Sequence, residues 1–449
     1  MSDNAYRPIK GSDSTYLFLQ VGGEIFDDWQ DCSITSDLLE PAGRFSFSSP
    51  IYKRGVMLRE IQSKGLRKGA RVRVFIKTPK APEAVLQMTG LIDEVKVSVS
   101  RNGGAVLAVT GRDHMAPIVD GDIMQRFAVE NVTFRALVER VLLTPFPGRT
   151  TGYFASSDQL IISNDANRLI LTGKSSTGLS KNLGTPFQSH TGGSGVAAQS
   201  IVPTGPLSPD APPELETLKV DQAVPNAGET VYQFLERHAR RFALMIWGTA
   251  DGRIVFGRPN YRQAPSYAFA LRIGAAGASN SPIVDASRKE SMKHCASEIH
   301  VFGPARGHDT FASPVHVRVA DPEVEAAGYY KPIVIHDAHA KDNAQATARA
   351  QMELSKRTQS SDVVQLALDG YVGNTGALYA IDTLADCQLD PLDVHESLYV
   401  VRRTFSRSRS GGSMTTLDLI PKNSIALGQV QYVTPASPKV LRLARDLGK

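Results

Sequence analysis

Residues 90–113 read GLIDEVKVSVSRNGGAVLAVTGRD. Val95, Val97 and Val99 alternate with Glu94, Lys96 and Ser98, the period-two pattern of a strand with one face turned inward. Asn102-Gly103-Gly104 supplies residues that tolerate the left-handed turn conformations, and Val106 to Thr110 resumes an apolar run, so the segment predicts a β-hairpin. Upstream, Tyr16 to Val21 and the alternating Arg71-Val72-Arg73-Val74-Phe75-Ile76-Lys77 read as further strands. Several short strands at this spacing predict a barrel or a sandwich.

Downstream of Gly111-Arg112-Asp113 and Ile118-Val119-Asp120 the period changes. Phe134, Leu137, Val138, Val141 and Leu142 share one helical face, with Asn131 or Thr133 as the cap and Pro145 as the stop. Val231, Phe234, Leu235, His238 and Phe242 form a second stripe, in which His238 reads as a core-edge residue rather than a ligand. A strand, turn and strand follow, from Leu244 to Trp247, at Asp251-Gly252, and from Ile254 to Phe256. Strands recur at Glu298 to Phe302, Val315 to Val319 and Pro332 to His336, then a helix at Asp342 to Thr358. The last strands are Val363 to Leu368, Ser397 to Phe405 and Thr415 to Ile420. The second half repeats the grammar of the first without an alignable internal repeat.

A chain of 449 residues exceeds one hydrophobic core and predicts two to four domains. Of the 43 residues from Thr172 to Glu214, 25 are Gly, Pro, Ser or Thr, too little apolar surface to offset ordering, so the stretch reads as an insertion or long loop. The net charge of +5 comes from 50 basic and 45 acidic residues and does not by itself argue for nucleic-acid binding. One dense basic cluster, Arg402, Arg403, Arg407 and Arg409, suits either phosphate, an acidic partner or a solvated strand end. Cys32, Cys295 and Cys387 show neither disulfide nor zinc spacing, which suits a reducing compartment. The polar Met1 to Gly11 is no signal peptide, and no apolar run reaches the length of a membrane span, so synthesis and retention in the cytoplasm are expected.

Candidate chemistry is thin. Gly173-Lys174-Ser175 has the end of a phosphate-binding loop, yet Arg168 stands where its first glycine belongs. His336 and His339 beside Asp337, and His294, Cys295 and His300, fall short of the three or four ligands that zinc needs. Asp382, Asp386, Asp390 and Asp393 would stack carboxylates on a helix, as glycoside hydrolysis could use, but Pro391 and the interleaved leucines favour a loop. Gly192-Gly193-Ser194-Gly195-Val196 lacks the last glycine of a nucleophile elbow. No catalytic, cofactor-binding or metal residue is expected, and no cofactor.

Seven segments in order resemble the baseplate hub family of Mu-like contractile-tail phages, the late control D or tail hub family. They are Leu39 to Phe47; Gly90-Leu91-Ile92-Asp93; Val109 to Asp113 with Ile118-Val119-Asp120; Ala227 to Leu235; Asp251 to Phe256; Ile283-Val284-Asp285; and Tyr330 to Ile335. The resemblance implies an α+β, mostly β fold with two tail-tube-like β-barrel domains plus smaller α/β domains. The expected division is a first tube-like barrel at 1–113, a small α/β domain at 114–171 and the insertion at 172–216. A helix-plus-hairpin α/β domain at 217–282, a second tube-like barrel at 283–430 and a C-terminal tail at 431–449, carrying Lys439, Arg442 and Arg445, complete it. It further implies a non-enzymatic homotrimer in the virion tail, assembled in the host cytoplasm, that joins the six-fold tail tube to the three-fold central spike. Its partners would be the tube, spike and other baseplate proteins, with tape-measure protein and DNA passing through its channel. The alternatives are the hub of a phage-derived injection particle, a tail-associated cell-wall hydrolase and a DNA-binding protein of the channel.

Overall fold

A computed structural model of the chain describes residues 16–51, 61, 65–78, 81–101, 104–124, 127–163, 219–242, 244–259, 261–272, 282–304, 313–338, 340, 342–373 and 376–425. The 172–216 insertion with its Gly173-Lys174-Ser175 and Ser194 motifs, Arg168, His339 and the 431–449 tail lie outside these residues. The fold is mostly β with few helices, as expected.

The first seven strands are β1 (Tyr16–Val21), β2 (Glu24–Phe26), β3 (Asp31–Asp37), β4 (Arg44–Ile51), β5 (Arg71–Thr78), β6 (Ala81–Ser100) and β7 (Gly104–Asp113). The hairpin read from residues 90–113 is β6 against β7, antiparallel, with Ser100 opposite Gly104 and Gly104 in the left-handed region at φ 71°. A bulge between Ile92 and Glu94 breaks the register where β6 leaves β5. Val72, Val74 and Ile76 alternate inward against polar Arg71 and Arg73, and this puts one face of β5 into the core.

A layer of helices and short strands comes next: α1 (Ala116–Asp120), β8 (Val129–Thr133), α2 (Phe134–Leu143), β9 (Leu160–Ser163), β10 (Lys219–Ala223), α3 (Val231–Ala239), β11 (Met245–Gly248) and β12 (Ile254–Gly257). Of the two cap candidates Thr133 serves, since its Oγ1 accepts from Ala136 N at 3.1 Å. The buried face of α2 is Phe134, Leu137, Val138, Val141 and Leu142, the stripe expected from spacing. His238 lies deeper than the core edge, fully buried against the Phe234 ring at 4.8 Å.

The remaining elements are β13 (Tyr267–Leu271), β14 (Ile283–Glu290), β15 (Glu298–Phe302), β16 (His316–Ala320), α4 (Pro322–Ala326), β17 (Pro332–His336), α5 (Asn343–Thr358), β18 (Asp362–Asp369), β19 (Thr383–Leu389), β20 (Val394–Ser408) and β21 (Gly412–Pro421). The chain divides into two compact units. The described residues of the smaller fall within 240–244, 289–363 and 421–425. Within it, β16, β15 and β17 form a three-stranded sheet, and Ala346 and Ala350 of α5 bury against Ile299, Val301 and Val315.

In the larger unit the strands do not form two separate closed barrels among the described residues. They make one 13-stranded sheet in the order β14-β18-β21-β20-β3-β4-β7-β6-β5-β1-β2, with β19 and β13 branching from β20. Its core runs unbroken from Leu19, Ile34, Phe47 and Val74 to Leu366, Val400, Phe405 and Leu417.

The topology contains a repeat that the sequence hides. The β5-β6-β7 meander recurs as β19-β20-β21, β4 flanks β7 as β18 flanks β21, and β3 flanks β4 as β14 flanks β18. The two hairpins align by position. Ser98, Ser100, Arg101 and Gly104 correspond to Ser406, Ser408, Arg409 and Gly412, with Gly104 and Gly412 at φ 71° and 67°. The same shift of 308 positions (412 less 104) carries Gly111, which faces Phe45 in β4, onto Leu419, which faces Val364 in β18. The copies differ at their far edge, where β1 joins β5 antiparallel and β13 joins β19 parallel. Elsewhere the smaller unit's residues 289–363 interrupt the repeat between β14 and β18, where the first copy has a short loop between β3 and β4.

Candidate functional site

The two copies of the repeat meet where β20 pairs antiparallel with β3, with Arg402 opposite Asp37, Arg403 opposite Ser36 and Phe405 opposite Ile34. Half of the basic cluster is spent here. Arg402 Nε donates to Asp37 Oδ2 at 2.6 Å, Nη1 donates to Asp418 Oδ2 at 3.2 Å, and Nη2 lies 3.5 Å from Glu40 Oε1. Asp37 also accepts from Leu39 N at 2.7 Å, so its buried carboxylate is held from two sides. Arg403 is buried outright. Its guanidinium donates to Tyr379 O and to Ser36 Oγ, both at 2.9 Å, and lies over the Phe405 ring at 4.2 Å. Burial pushes its pKa down to about 10. Thr35 and Thr404 close the row, Oγ1 to Oγ1, at 3.0 Å. Arg407 sits opposite Cys32 and Arg409 is exposed. The cluster is therefore neither a phosphate patch nor a solvated strand end over its first two members; its acidic partners belong to the same chain.

A second junction gathers the segments that carried the family resemblance. Arg112 Nε donates to Asp93 Oδ2 at 2.8 Å and Nη2 to Asp120 Oδ2 at 2.6 Å, which ties β7 to β6 and to the end of α1. The Arg112 hydrogen bond holds the Asp120 carboxyl below the usual carboxylate range. Asp113, buried, accepts from Gly43 N at 2.8 Å and Met115 N at 2.9 Å; burial raises its pKa while His114 and these N–H groups oppose the rise. A Cβ on Gly90 would stand 2.1 Å from Arg112 O, and one on Gly111 would stand 2.1 Å from Leu91 O and 2.4 Å from Phe45 Cζ. These positions suit glycine because the backbone of the paired strand comes too close for a Cβ. Another of the resembling segments lies elsewhere: Ile283-Val284-Asp285 begins β14, whose Asp285 is exposed and accepts from Ala286 N.

The remaining candidates do not converge. His300 turns from His294 and Cys295 to His316, with Nδ1 and Nε2 at 3.0 Å and rings stacked at 5.3 Å. Glu298 accepts from Arg318 Nε and from Tyr330 OH at 3.1 Å, and the Arg318 bond holds its carboxyl low. His336 ends β17. No three His, Cys, Asp or Glu side chains group as a metal site among the described residues. The loop expected across the four aspartates is in fact strand β19 and a 3-10 turn. Asp386 sits on β19, Asp382 precedes it buried at φ 59°, and Asp390 and Asp393 sit in the turn, Asp393 at φ 52°. A cleft of about 390 Å³ beside Asp386 is walled by Tyr267, Phe269, Tyr379, Pro265 and Pro282. All three cysteines are buried, and burial pushes Cys387 up to about 12 and Cys32 still further from the thiolate. No described helix is long and apolar enough to cross a membrane.

Missed by the sequence reading were Asp37 and Asp418. A lone acidic residue on an alternating strand gives no sign of the arginine it will meet.

Residues 16–113 match the family described as Mu phage baseplate assembly protein GpP-like, N-terminal. The resemblance read from the sequence thus holds for the first copy of the repeat. Among solved structures, the chain is similar to the 43 kDa tail protein of prophage MuSo2 from Shewanella oneidensis, with 17% identity over 92% of this chain and 99% of that one and a TM-score of 0.63. It is similar to a tail protein from Neisseria meningitidis MC58, with 18% identity over 90% and 96% of the two chains and a TM-score of 0.62. At these identities the likeness establishes a shared fold along nearly the whole chain. No curated protein matches the sequence.

Proposed function

We propose that the chain is a structural component of a phage baseplate, the hub that adapts a six-fold tail tube to a three-fold central spike. The observation that carries this reading is the β3–β20 joint: one chain holds two copies of the same strand arrangement, fused edge to edge. Three such chains in a ring present six near-equivalent modules on one side and only three chain-specific surfaces on the other. The family match of residues 16–113 and the fold shared with two prophage tail proteins support the baseplate assignment.

In this reading 1–113 and 283–430 are the tube-like modules, 114–171 and 217–282 the smaller domains, and 172–216 and 431–449 surfaces for other baseplate proteins. The ring encloses an axial channel for the tape-measure protein and then DNA. Assembly takes place in the host cytoplasm and the product is part of the virion. The hub of a phage-derived injection particle has the same geometry. The role is mechanical rather than catalytic. A hydrolase reading would need two facing carboxylates, and the aspartates near β19 are distributed over a strand, a buried left-handed position and an exposed turn.

Light scattering of the purified chain across a concentration series tests this. The expected mass is about 146 kDa, three times the 48.6 kDa chain. A strict monomer at every concentration, together with turnover of purified peptidoglycan, would replace the hub with the hydrolase.

A further inference from the structure

On the three-stranded sheet of the smaller unit, Ile299 and Val301 of β15 pack with Ala346 and Ala350 of α5, so His300 and Phe302 face outward. Pairing across the strands sets two outward rows, Arg318, His300 and Val334 in one and His316, Phe302 and His336 in the next. His300 and His316 are therefore diagonal neighbours on adjacent strands, within reach of each other's rings. Val334, His316 and His336 are exposed and His300 is half-buried, so solvent reaches this face.

His300 Nδ1 and His316 Nε2 stand 3.0 Å apart. Two neutral imidazoles at that distance share one proton, one nitrogen donating and the other offering a lone pair. The far side of His300 selects the tautomer: its Nε2 lies 3.3 Å from Glu298 Oε1 and donates to it. That leaves His300 Nδ1 as the acceptor and His316 Nε2 as the donor. Glu298 is in turn fixed by Arg318 Nε and by Tyr330 OH at 3.1 Å. A carboxylate on the outer nitrogen is the support that metal-bound histidines carry, since it orients the ring and raises the basicity of the inner nitrogen. The His316 ring is seated on Phe302, 4.2 Å away and 5° from parallel. Burial and the facing His300 hold its pKa below the ordinary 6.5, so at pH 7 it is neutral, as a ligand must be.

The separation selects the metal. Nitrogens bound at about 2.0–2.1 Å from one ion stand about 3.3–3.4 Å apart at a tetrahedral angle and about 2.8–3.0 Å apart at a right angle. The 3.0 Å between these two suits neighbouring corners of a square-planar or octahedral sphere. Two protein ligands are too few for a zinc site, but two imidazoles completed by water suit Cu2+, which has the highest affinity of the divalent first-row ions.

We propose that His300 Nδ1 and His316 Nε2 form a cis two-histidine site for Cu2+, with water in the remaining positions. The ion takes the place of the shared proton, off the line between the nitrogens, and the exposed His316 ring tilts to meet it. The proton of His316 moves from Nε2 to Nδ1, so no proton is lost and no electron is transferred. The site stands apart from the hub reading, since it needs only the β15–β16 pairing.

Titration of the full chain with Cu2+ tests this, read by calorimetry and by electron paramagnetic resonance. The expected result is one tightly bound Cu2+ whose spectrum shows two nitrogen ligands. Binding is expected to weaken by about 100-fold in His300→Gln and in His316→Gln, each of which leaves a single imidazole, and to stay at the wild-type level in His336→Gln. Zn2+ is expected to bind at least about tenfold more weakly than Cu2+. Wild-type affinity in either His300→Gln or His316→Gln overturns the site, as does an equal loss in His336→Gln. The nitrogen count is read on the wild type, so a single nitrogen overturns the site even if a variant misfolds. Zn2+ bound as tightly as Cu2+ overturns the right-angle geometry.

Discussion

Arg402 and Asp37 lie 365 positions apart in the chain and 2.6 Å apart in space, where they bind the two copies of the strand repeat across β20 and β3. Asp37 is buried and the Arg402 side chain is 40% exposed, so the pair is shielded on its acidic side only. Removing the arginine leaves a desolvated carboxylate with a single backbone donor, the costly half of the exchange. A double-mutant cycle over Asp37→Asn and Arg402→Gln, read from urea midpoints, is expected to show a coupling of about 1–3 kcal/mol. Additive effects would mean that the apolar row of Ile34 and Phe405 holds the joint without the ion pair.

Gly111→Ala is expected to destabilise the chain by more than about 2 kcal/mol, because its Cβ meets the Leu91 carbonyl and the Phe45 ring, which belong to adjacent strands and cannot both retreat. Gly22→Ala, with no atom within 4 Å but φ at 59°, should cost only about 1 kcal/mol. Equal losses in thermal unfolding would contradict the close-approach argument.

Thr133→Ala removes the acceptor that caps Ala136 N and should cost about 1 kcal/mol. Thr133→Ser should recover most of it. If the serine variant unfolds with the alanine one, the threonine methyl, not the hydroxyl, is what matters.

His316 contributes to the pH dependence of the smaller unit. Burial, and then the facing His300, lower its pKa from the ordinary 6.5, with Phe302 stacked on the ring at 4.2 Å. Glu298 and Arg318 are the neighbouring charges, tied to each other. A histidine with a depressed folded pKa binds its proton more readily when unfolded. Its stabilising share is therefore complete above 6.5 and is lost as pH falls below that value. Thermal midpoints of the wild type should decline from pH 7 to pH 5 more steeply than those of His316→Gln; parallel profiles would remove His316 as the cause.

The four predictions divide along the line between local and non-local information. Local chemistry is legible in the residues: the alternation of Val95, Val97 and Val99 with the Gly103-Gly104 turn specifies the β6–β7 hairpin, and the spacing from Phe134 to Leu142 with Thr133 before it specifies a capped helix and its buried face. Hydrogen bonds three or four residues apart, or across a two-glycine turn, depend on neighbours that the sequence already places side by side.

Partner choice between strands is different. The alternating pattern of β3 says that one face is buried, but it does not say that β20 covers its edge, since any antiparallel strand offers the same backbone donors and acceptors. Only the tertiary structure decides that Arg402 and Arg403 meet Asp37 and Ser36 instead of solvent or phosphate, and that Gly90 and Gly111 sit where a neighbouring strand leaves no room for a Cβ. Only it shows that residues 289–363 interrupt a second copy of the first module's sheet. The sequence by itself determined local elements such as the β6–β7 hairpin and the helix capped by Thr133; the long-range pairing of edges, set by which desolvated surfaces close against each other, decided the joint.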